Sequence, residues 1–178
     1  RADNMKDALK SSRRTQSQKL IFGEDKGPKI VGQLVKQVGC LCYKWVDKKL
    51  KVLIITSRTT KRWIIPKGWM QPKLGASGSA AVEAWEEAGV LGICDKKKFG
   101  DFKNIKILKD GYPLECIVDV FLMKTITQKA EFPEKDERTV KWIDPEDAAS
   151  FIRNKSLIHL LKNFDAKKSK LPYGIEGS

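Results

Sequence analysis

The chain has little of what would place it in a specialised class. Among its 178 residues no apolar run approaches the roughly 20 needed to cross a bilayer, so an integral membrane protein is excluded. There is one histidine, and the four cysteines, Cys40, Cys42, Cys94 and Cys116, include no C-x-x-C pair. His159 therefore cannot complete a Cys/His zinc site of ordinary spacing, and the thiols read as reduced and buried. No internal repeat and no heptad array is present. The opening "RADNMKDALKSSRRTQSQKL" has no apolar secretory segment and the ending "LPYGIEGS" matches no lipidation signal, so a cytoplasmic location is expected. The most informative scarcity is local. Between Lys73 and Lys96 there is no lysine or arginine at all.

What is there is a globular composition, 41% hydrophobic and 32% charged, long enough for one core without metal or disulfide staples. The formal net charge is +13. The first 28 residues account for +3 of it and the last fourteen for +1, leaving +9 on the middle. Such an excess favours anionic partners, whether phosphorylated metabolites, nucleic acid or an acidic membrane surface. A lysine-rich solvated surface would give the same count.

Residues 1 to 28 lack sustained periodicity and end in the turn-rich "GEDKGPK", which predicts a basic arm, then a domain from 29 to 164 and a tail from 165 to 178. "QVGCLCYKWV" and "LKVLIITS" flank "DKK" as an antiparallel hairpin, with Cys40 and Cys42 on one face. "KRWIIPKG" adds a short strand stopped by Pro66. An alanine-rich helix is predicted from about Ser77 to Ala88, with Gly89 as its stop. "NIKILKD" and "LECIVDVFLMKTI" form a second hairpin through Asp110-Gly111, and "RTVKWID" a further strand. Asp144 and Ser156 are the candidate N-caps of two closing helices, with His159 a helix-packing residue of the second. Strands that pair locally, with helices between and after them, predict an α/β class of α+β character, a mixed sheet covered by helices.

Glu83, Glu86 and Glu87 lie three and four residues apart, so on a helix all three project toward one region. Each like-charge pair costs about 0.2 to 0.5 kcal/mol. The negative end of the helix dipole adds about 0.3 to 1 kcal/mol for each carboxylate in the last turn. With no cation nearby in sequence, positive charge is expected from elsewhere. Mg²⁺, which takes hard oxygen ligands and keeps sites for water and phosphate, would supply it. A solvated acidic helix face is the bland alternative.

The stretch "IPKGWMQPKLGASGSAAVEAWEEAGV" resembles the Nudix box, in which Gly, Glu, Arg-Glu, Glu-Glu and Gly recur at fixed spacing. Gly68, Glu83, Ala84, Glu86, Glu87, Gly89 and Val90 fill their positions, whereas Leu74 and Val82 stand where the pattern has Glu and Arg. "VLIITSRTTKRWIIPKG" and "FPEKDERTVKWIDPEDA" are similar to segments of the diphosphoinositol polyphosphate phosphohydrolase-like branch, so the likeness runs from about residue 29 to 164. It implies the Nudix fold, Mg²⁺ or Mn²⁺, and hydrolysis of a diphosphate in a phosphorylated small molecule. It implies that Gly68, Glu83, Glu86 and Glu87 hold the metal. Replacing a paired Glu and Arg together by Leu74 and Val82 exchanges an ion pair for apolar packing, which can be neutral, whereas losing one alone would strand a charge.

The general base is then one of the helix glutamates or Glu134, and phosphate contacts come from Arg58, Arg62, Lys67 and Arg138. Trp63, Trp69 and Trp142 are candidates for stacking on a base or for pocket wall. A non-catalytic Nudix-fold module that binds a phosphorylated ligand is the alternative function. No nucleic-acid motif is present, so no specific nucleic-acid partner is predicted.

Overall fold

The structure is a computed structural model that describes residues 20–22, 28–30 and 35–167. Most of the C-terminal tail and most of the arm lie outside the described residues. β1 (Leu20–Phe22), in the arm, pairs antiparallel with β2 (Pro28–Ile30), which runs across its predicted end, Leu20 opposite Ile30. The chain divides into two compact units. One comprises residues 1–35 with 105–116, and the other residues 36–104 with 117–178. Every site residue discussed below belongs to the second.

An eight-stranded sheet is built from β3 (Val35–Val46), β4 (Lys49–Thr56), β5 (Trp63–Ile64), β6 (Lys67–Gly68), β7 (Val90–Cys94), β8 (Gly100–Ile107), β9 (Pro113–Gln128) and β10 (Val140–Ile143). Its order is β10-β4-β3-β9-β7, with β5 on β4, β6 on β3 and β8 on β9. The hairpin around "DKK" closes through a two-residue loop: Val46 faces Lys49, and Asp47 and Lys48 take positive φ of 48° and 62°. That is the twist-matched turn geometry of tight hairpins. The second hairpin turns where expected, with the Gly111 N–H donating to Leu108 O at 2.9 Å. β7 was not foreseen; it is a five-residue edge strand whose Leu91 and Ile93 face outward.

Three helices complete the described chain: α1 (Gly75–Ala88), α2 (Ala148–Phe151) and α3 (Lys155–Lys167). Both predicted caps of the closing helices are corrected. Asp144 makes no cap hydrogen bond and instead pairs with Lys51 at 2.8 Å, so Pro145–Asp147 forms a 3-10 turn ahead of the short α2. Ser156 Oγ accepts from the Lys103 N–H, and the cap of α3 is Asn154, whose Oδ1 accepts from the Leu157 N–H at 3.0 Å. Leu157, Leu160, Leu161 and Phe164 form the buried stripe of α3, and Phe164 packs on Tyr43 and Phe99 with ring centroids 5.5 and 5.7 Å away. His159 falls on the opposite, exposed side and is not a packing residue.

Helix α1 starts two residues earlier than predicted. Ser79 makes this possible: its Oγ accepts from the Gln71 N–H at 2.8 Å and donates to Gly75 O at 2.5 Å, tying the preceding loop to the first turn. The far end stops at Gly89 as expected, left-handed at φ 69°, ψ 18°. A side chain there is doubly disfavoured, because a Cβ would come within 2.6 Å of Lys129 O and of the Phe132 ring. The last carbonyls of a helix lack partners within it. Here the returning chain supplies them, with Lys129 N–H donating to Gly89 O at 2.8 Å and Glu134 N–H to Glu86 O at 2.9 Å. This docking delivers residues 134–138 to the acidic end of α1.

Candidate active site

The buried face of α1 carries Ser79, Ala80, Glu83, Ala84, Glu87 and Ala88. Glu83 and Glu87, four residues apart, are therefore turned inward with the alanines, 8% and 5% exposed. Glu86 sits about 60° to the other side of Glu83 around the helix and is only partly buried. Two of the three carboxylates thus share the interior.

Strand β6 presents the opposite wall. Gly68 pairs with Val38 and Lys67 with Gly39 of β3. The Glu83 carboxylate lies directly on Gly68: a Cβ at that position would be 2.3 Å from Glu83 Oε1 and 2.6 Å from Oε2. Only glycine leaves this notch, which accounts physically for its place in the motif. The adjacent Lys67 N–H donates to Glu87 Oε2 at 3.3 Å, and Lys67 Nζ to Gln37 Oε1 at 3.3 Å.

The sequence around α1 offers no cation, but the fold brings one. Arg138, its side chain 8% exposed, places Nη2 3.1 Å from Glu87 Oε1 and 3.4 Å from Glu134 Oε1, while Nη1 donates to Thr56 O at 3.1 Å. Arg58 Nη1 stands 3.5 Å from Glu134 Oε1 and 3.6 Å from Glu137 Oε2. Of the sequence-predicted residues, Gly68, Glu83, Glu87, Glu134, Arg58, Lys67 and Arg138 are joined in one contact network. Glu86 enters it through its carbonyl, and Arg62 lines a separate cleft described below.

One member of the network had no sequence signal beyond its polarity. Gln37, on β3, is 1% exposed, and its Nε2 has no hydrogen-bond partner among the described residues. A buried donor left open beside Lys67 is suited to an oxygen brought in by a ligand. Trp142 is not a free stacking surface, since its Nε1–H donates to Gln128 Oε1 and Lys44 Nζ sits 4.2 Å from its ring centre. Leu74 does not supply apolar packing in place of the expected glutamate, because it is 46% exposed.

Burial pushes the Glu87 carboxyl up to about 8; Arg138 and Lys67 pull it down, and the charge of Glu83 pushes it up again. Its ordinary value is 4.5, so between these limits the folded protein holds a proton that the unfolded chain releases. The stability this proton confers is complete below about pH 4.5 and is lost as the pH rises toward 8. In metal-free buffer, Glu87→Gln is expected to flatten the decline of the unfolding free energy between pH 5 and 8. A single group contributes at most about 1.4 kcal/mol per pH unit to that slope. Thermal unfolding of both proteins across this range in EDTA checks it, and parallel curves would contradict the assignment.

Whether these residues suit a divalent ion is decided by their chemistry. The donors are hard carboxylate oxygens beside a glycine backbone, in a place where burial makes uncompensated negative charge costly. As they stand, no three acidic, imidazole or thiol groups among the described residues are arranged to hold one ion. Mg²⁺ characteristically takes one or two carboxylates and fills its other positions with water and phosphate oxygens, so the pair fits.

Order and pairing of the strands, with α1 running into an acidic C-terminal end against Gly68, define the Nudix fold. Solved structures sharing it include a C. elegans Ap4A hydrolase at 20% identity, covering 75% of this chain and 98% of that one with a TM-score of 0.56. A Nudix hydrolase from Nitrosomonas europaea matches at 13% identity, 76% and 91% coverage, and a TM-score of 0.58. No family model matches the chain. In sequence, the bovine diphosphoinositol polyphosphate phosphohydrolase 3-beta is 29% identical over 124 residues, 70% of this chain and 73% of the bovine protein. The human diphosphoinositol polyphosphate phosphohydrolase NUDT4B is 28% identical over 124 residues, 70% and 66% of the two chains. The chain thus has the Nudix fold, and its sequence is similar to those of diphosphoinositol polyphosphate phosphohydrolases.

Proposed function

We propose that the chain is a Mg²⁺- or Mn²⁺-dependent Nudix hydrolase that cleaves a diphosphate linkage in a polyphosphorylated small molecule by attack of water at phosphorus. Its relatives' names offer diphosphoinositol polyphosphates and Ap4A as the first substrates to try. The observation that carries the reading is the pair Glu83 and Glu87, buried four residues apart against the Gly68 notch and faced by Arg138. Glu83 and Glu87, with Glu86 and the Gly68 carbonyl, would hold the ion. A bound divalent ion supplies charge for phosphoryl oxygens and lowers the pKa of its water.

The remaining work falls to side chains. Lys67 and the open Nε2 of Gln37 present donors to phosphate oxygens on the β3 side, and Arg58 presents a half-exposed guanidinium on the other. Arg138 is engaged with Glu87 and Glu134, and we assign it to holding these carboxylates. Glu134, 4% exposed and held by two arginines, is the candidate to orient or deprotonate the attacking water. A cytoplasmic setting belongs to the same proposal, as Cys40, Cys42 and Cys116 are buried thiols of the kind a reducing compartment preserves. No helix among the described residues is long and apolar enough to cross a membrane.

The test is turnover. Purified protein with Mg²⁺ or Mn²⁺ is expected to release phosphate-containing products from a panel of diphosphoinositol polyphosphates, dinucleoside polyphosphates and nucleoside diphosphate derivatives. Silence across the panel with both metals would favour a module that binds a phosphorylated ligand without cleaving it. The exposed Leu74 and the Val82 position motivate that second reading. Restoring Glu and Arg at both sites should then create turnover.

A further inference from the structure

We propose a second anion site, apart from the carboxylates, that takes the di- or triphosphate group of a small molecule. It is the cleft of about 540 Å³ between residues 60–63 and residues 149–153. Lys61, Arg62 and Arg153 line it, together with Trp63, Phe151 and Ile152, and no acidic side chain does. All three cations are exposed. Among the described residues neither Arg62 nor Arg153 forms an ion pair, and Lys61 Nζ donates only to the Glu137 carbonyl at 3.3 Å.

The arrangement inverts the logic of the acidic helix end. There, buried negative charge is met by Arg138. Here, positive charges converge on a concave surface that supplies no counter-charge, and a multiply charged anion is the ligand that relieves their mutual repulsion. Two guanidinium forks suit the oxygens of linked phosphates. The volume lies in the range of small-molecule sites. Its floor is apolar and ordered: Ile152 is buried, and the Trp63 and Phe151 rings meet edge-on at 6.3 Å. Lys141 Nζ, 4.7 Å from the Phe151 ring centre, adds a fourth positive charge at the margin.

The cleft also shares a loop with the candidate active site. Ser57 to Arg62 is closed by the Ser57 N–H donating to Arg62 O at 2.8 Å and by the Arg62 N–H donating to Ser57 Oγ at 3.0 Å. Arg58, inside this loop, faces Glu134, and Lys61 and Arg62 face the cleft. A phosphate chain bound at one side of the loop therefore meets a segment whose other side touches the carboxylate network.

The proposal does not require hydrolysis and is tested without metal. Calorimetric titration in EDTA with pyrophosphate and, separately, with ADP is expected to show binding to the wild type and undiminished binding to Glu87→Gln. The double variant Arg62→Ala/Arg153→Ala should bind at least tenfold more weakly. Both side chains are exposed, so the variant should fold; its melting curve verifies this, and Arg153→Gln alone should show an intermediate loss. Equal affinity for both ligands marks an oligophosphate site, and tighter ADP binding marks a nucleotide site that also uses the Trp63 and Phe151 rings. The idea is overturned if the wild type binds neither ligand at millimolar concentration, if the double variant binds like wild type, or if Glu87→Gln abolishes binding. Turnover in the substrate panel is read independently of all these outcomes.

Discussion

Glu87→Gln lowers kcat/KM for the cleaved diphosphate by about a thousandfold or more, a loss of at least ~4 kcal/mol of transition-state stabilisation. The substitution keeps the shape of the side chain and one of its two oxygens, so either the Lys67 N–H, which donates to Oε2, or Arg138 Nη2, which lies on Oε1, keeps its acceptor while the other meets the amide NH2. What it removes is the ability to carry negative charge at 5% exposure. A neutral amide is a poor ligand for a hard divalent ion and cannot attract one into a site that burial makes electrostatically demanding. Steady-state phosphate release with Mg²⁺, beside a melting curve showing the variant folded, makes the measurement. Turnover near the wild-type rate in a folded variant would remove Glu87 from the ion's ligands and with it the proposed chemistry.

Arg138→Ala is expected to cost about 3 kcal/mol of folding stability, at the lower end of what breaking a buried ion pair costs. Three acceptors lose a partner together: Thr56 O, Glu134 Oε1 and Glu87 Oε1. The effect stays at the lower end for two reasons. Glu134 keeps Arg58 at 3.5 Å, and Glu87, its carboxyl pushed up to about 8, already holds a proton at pH 7 and strands no charge. Chemical denaturation at pH 7 in EDTA, with Arg138→Lys alongside, checks it. Lysine should recover less than half of the loss, since a single ammonium cannot serve all three acceptors in the geometry of a planar fork. A change below about 1 kcal/mol for the alanine variant would place Arg138 with ordinary surface pairs.

Local signals carried much of this architecture. Asp110-Gly111 and Asp47-Lys48 marked the hairpins, because tight turns demand particular backbone angles that few residues adopt. Gly89 marked the helix end for the same reason. The acidic spacing disclosed that Glu83 and Glu87 share a face, which is a property of helical geometry alone. What stayed hidden depended on distance along the chain. Asn154 displaced Ser156 as the cap, and Ser156 turned instead to Lys103, a partner no local pattern encodes. Asp144 read as a cap until β4 brought Lys51 beside it. Gln37 looked like one polar residue in an apolar strand; its standing beside Lys67 exists only once β6 pairs with β3. Arg138 was legible as a cation, but not as the one that serves the helix.

The guanidinium that quiets Glu87 lies 51 residues further along the chain. During synthesis the acidic helix is complete long before its compensating group leaves the ribosome, and it must wait for the returning segment at Lys129 and Glu134 to lock onto its last carbonyls. Completion of the strands up to β10 is thus what matures the site. A nascent chain halted before Lys129 would carry the helix sequence with its last carbonyls unmet and, lacking the burial that raises it, with the Glu87 carboxyl ionised at neutral pH.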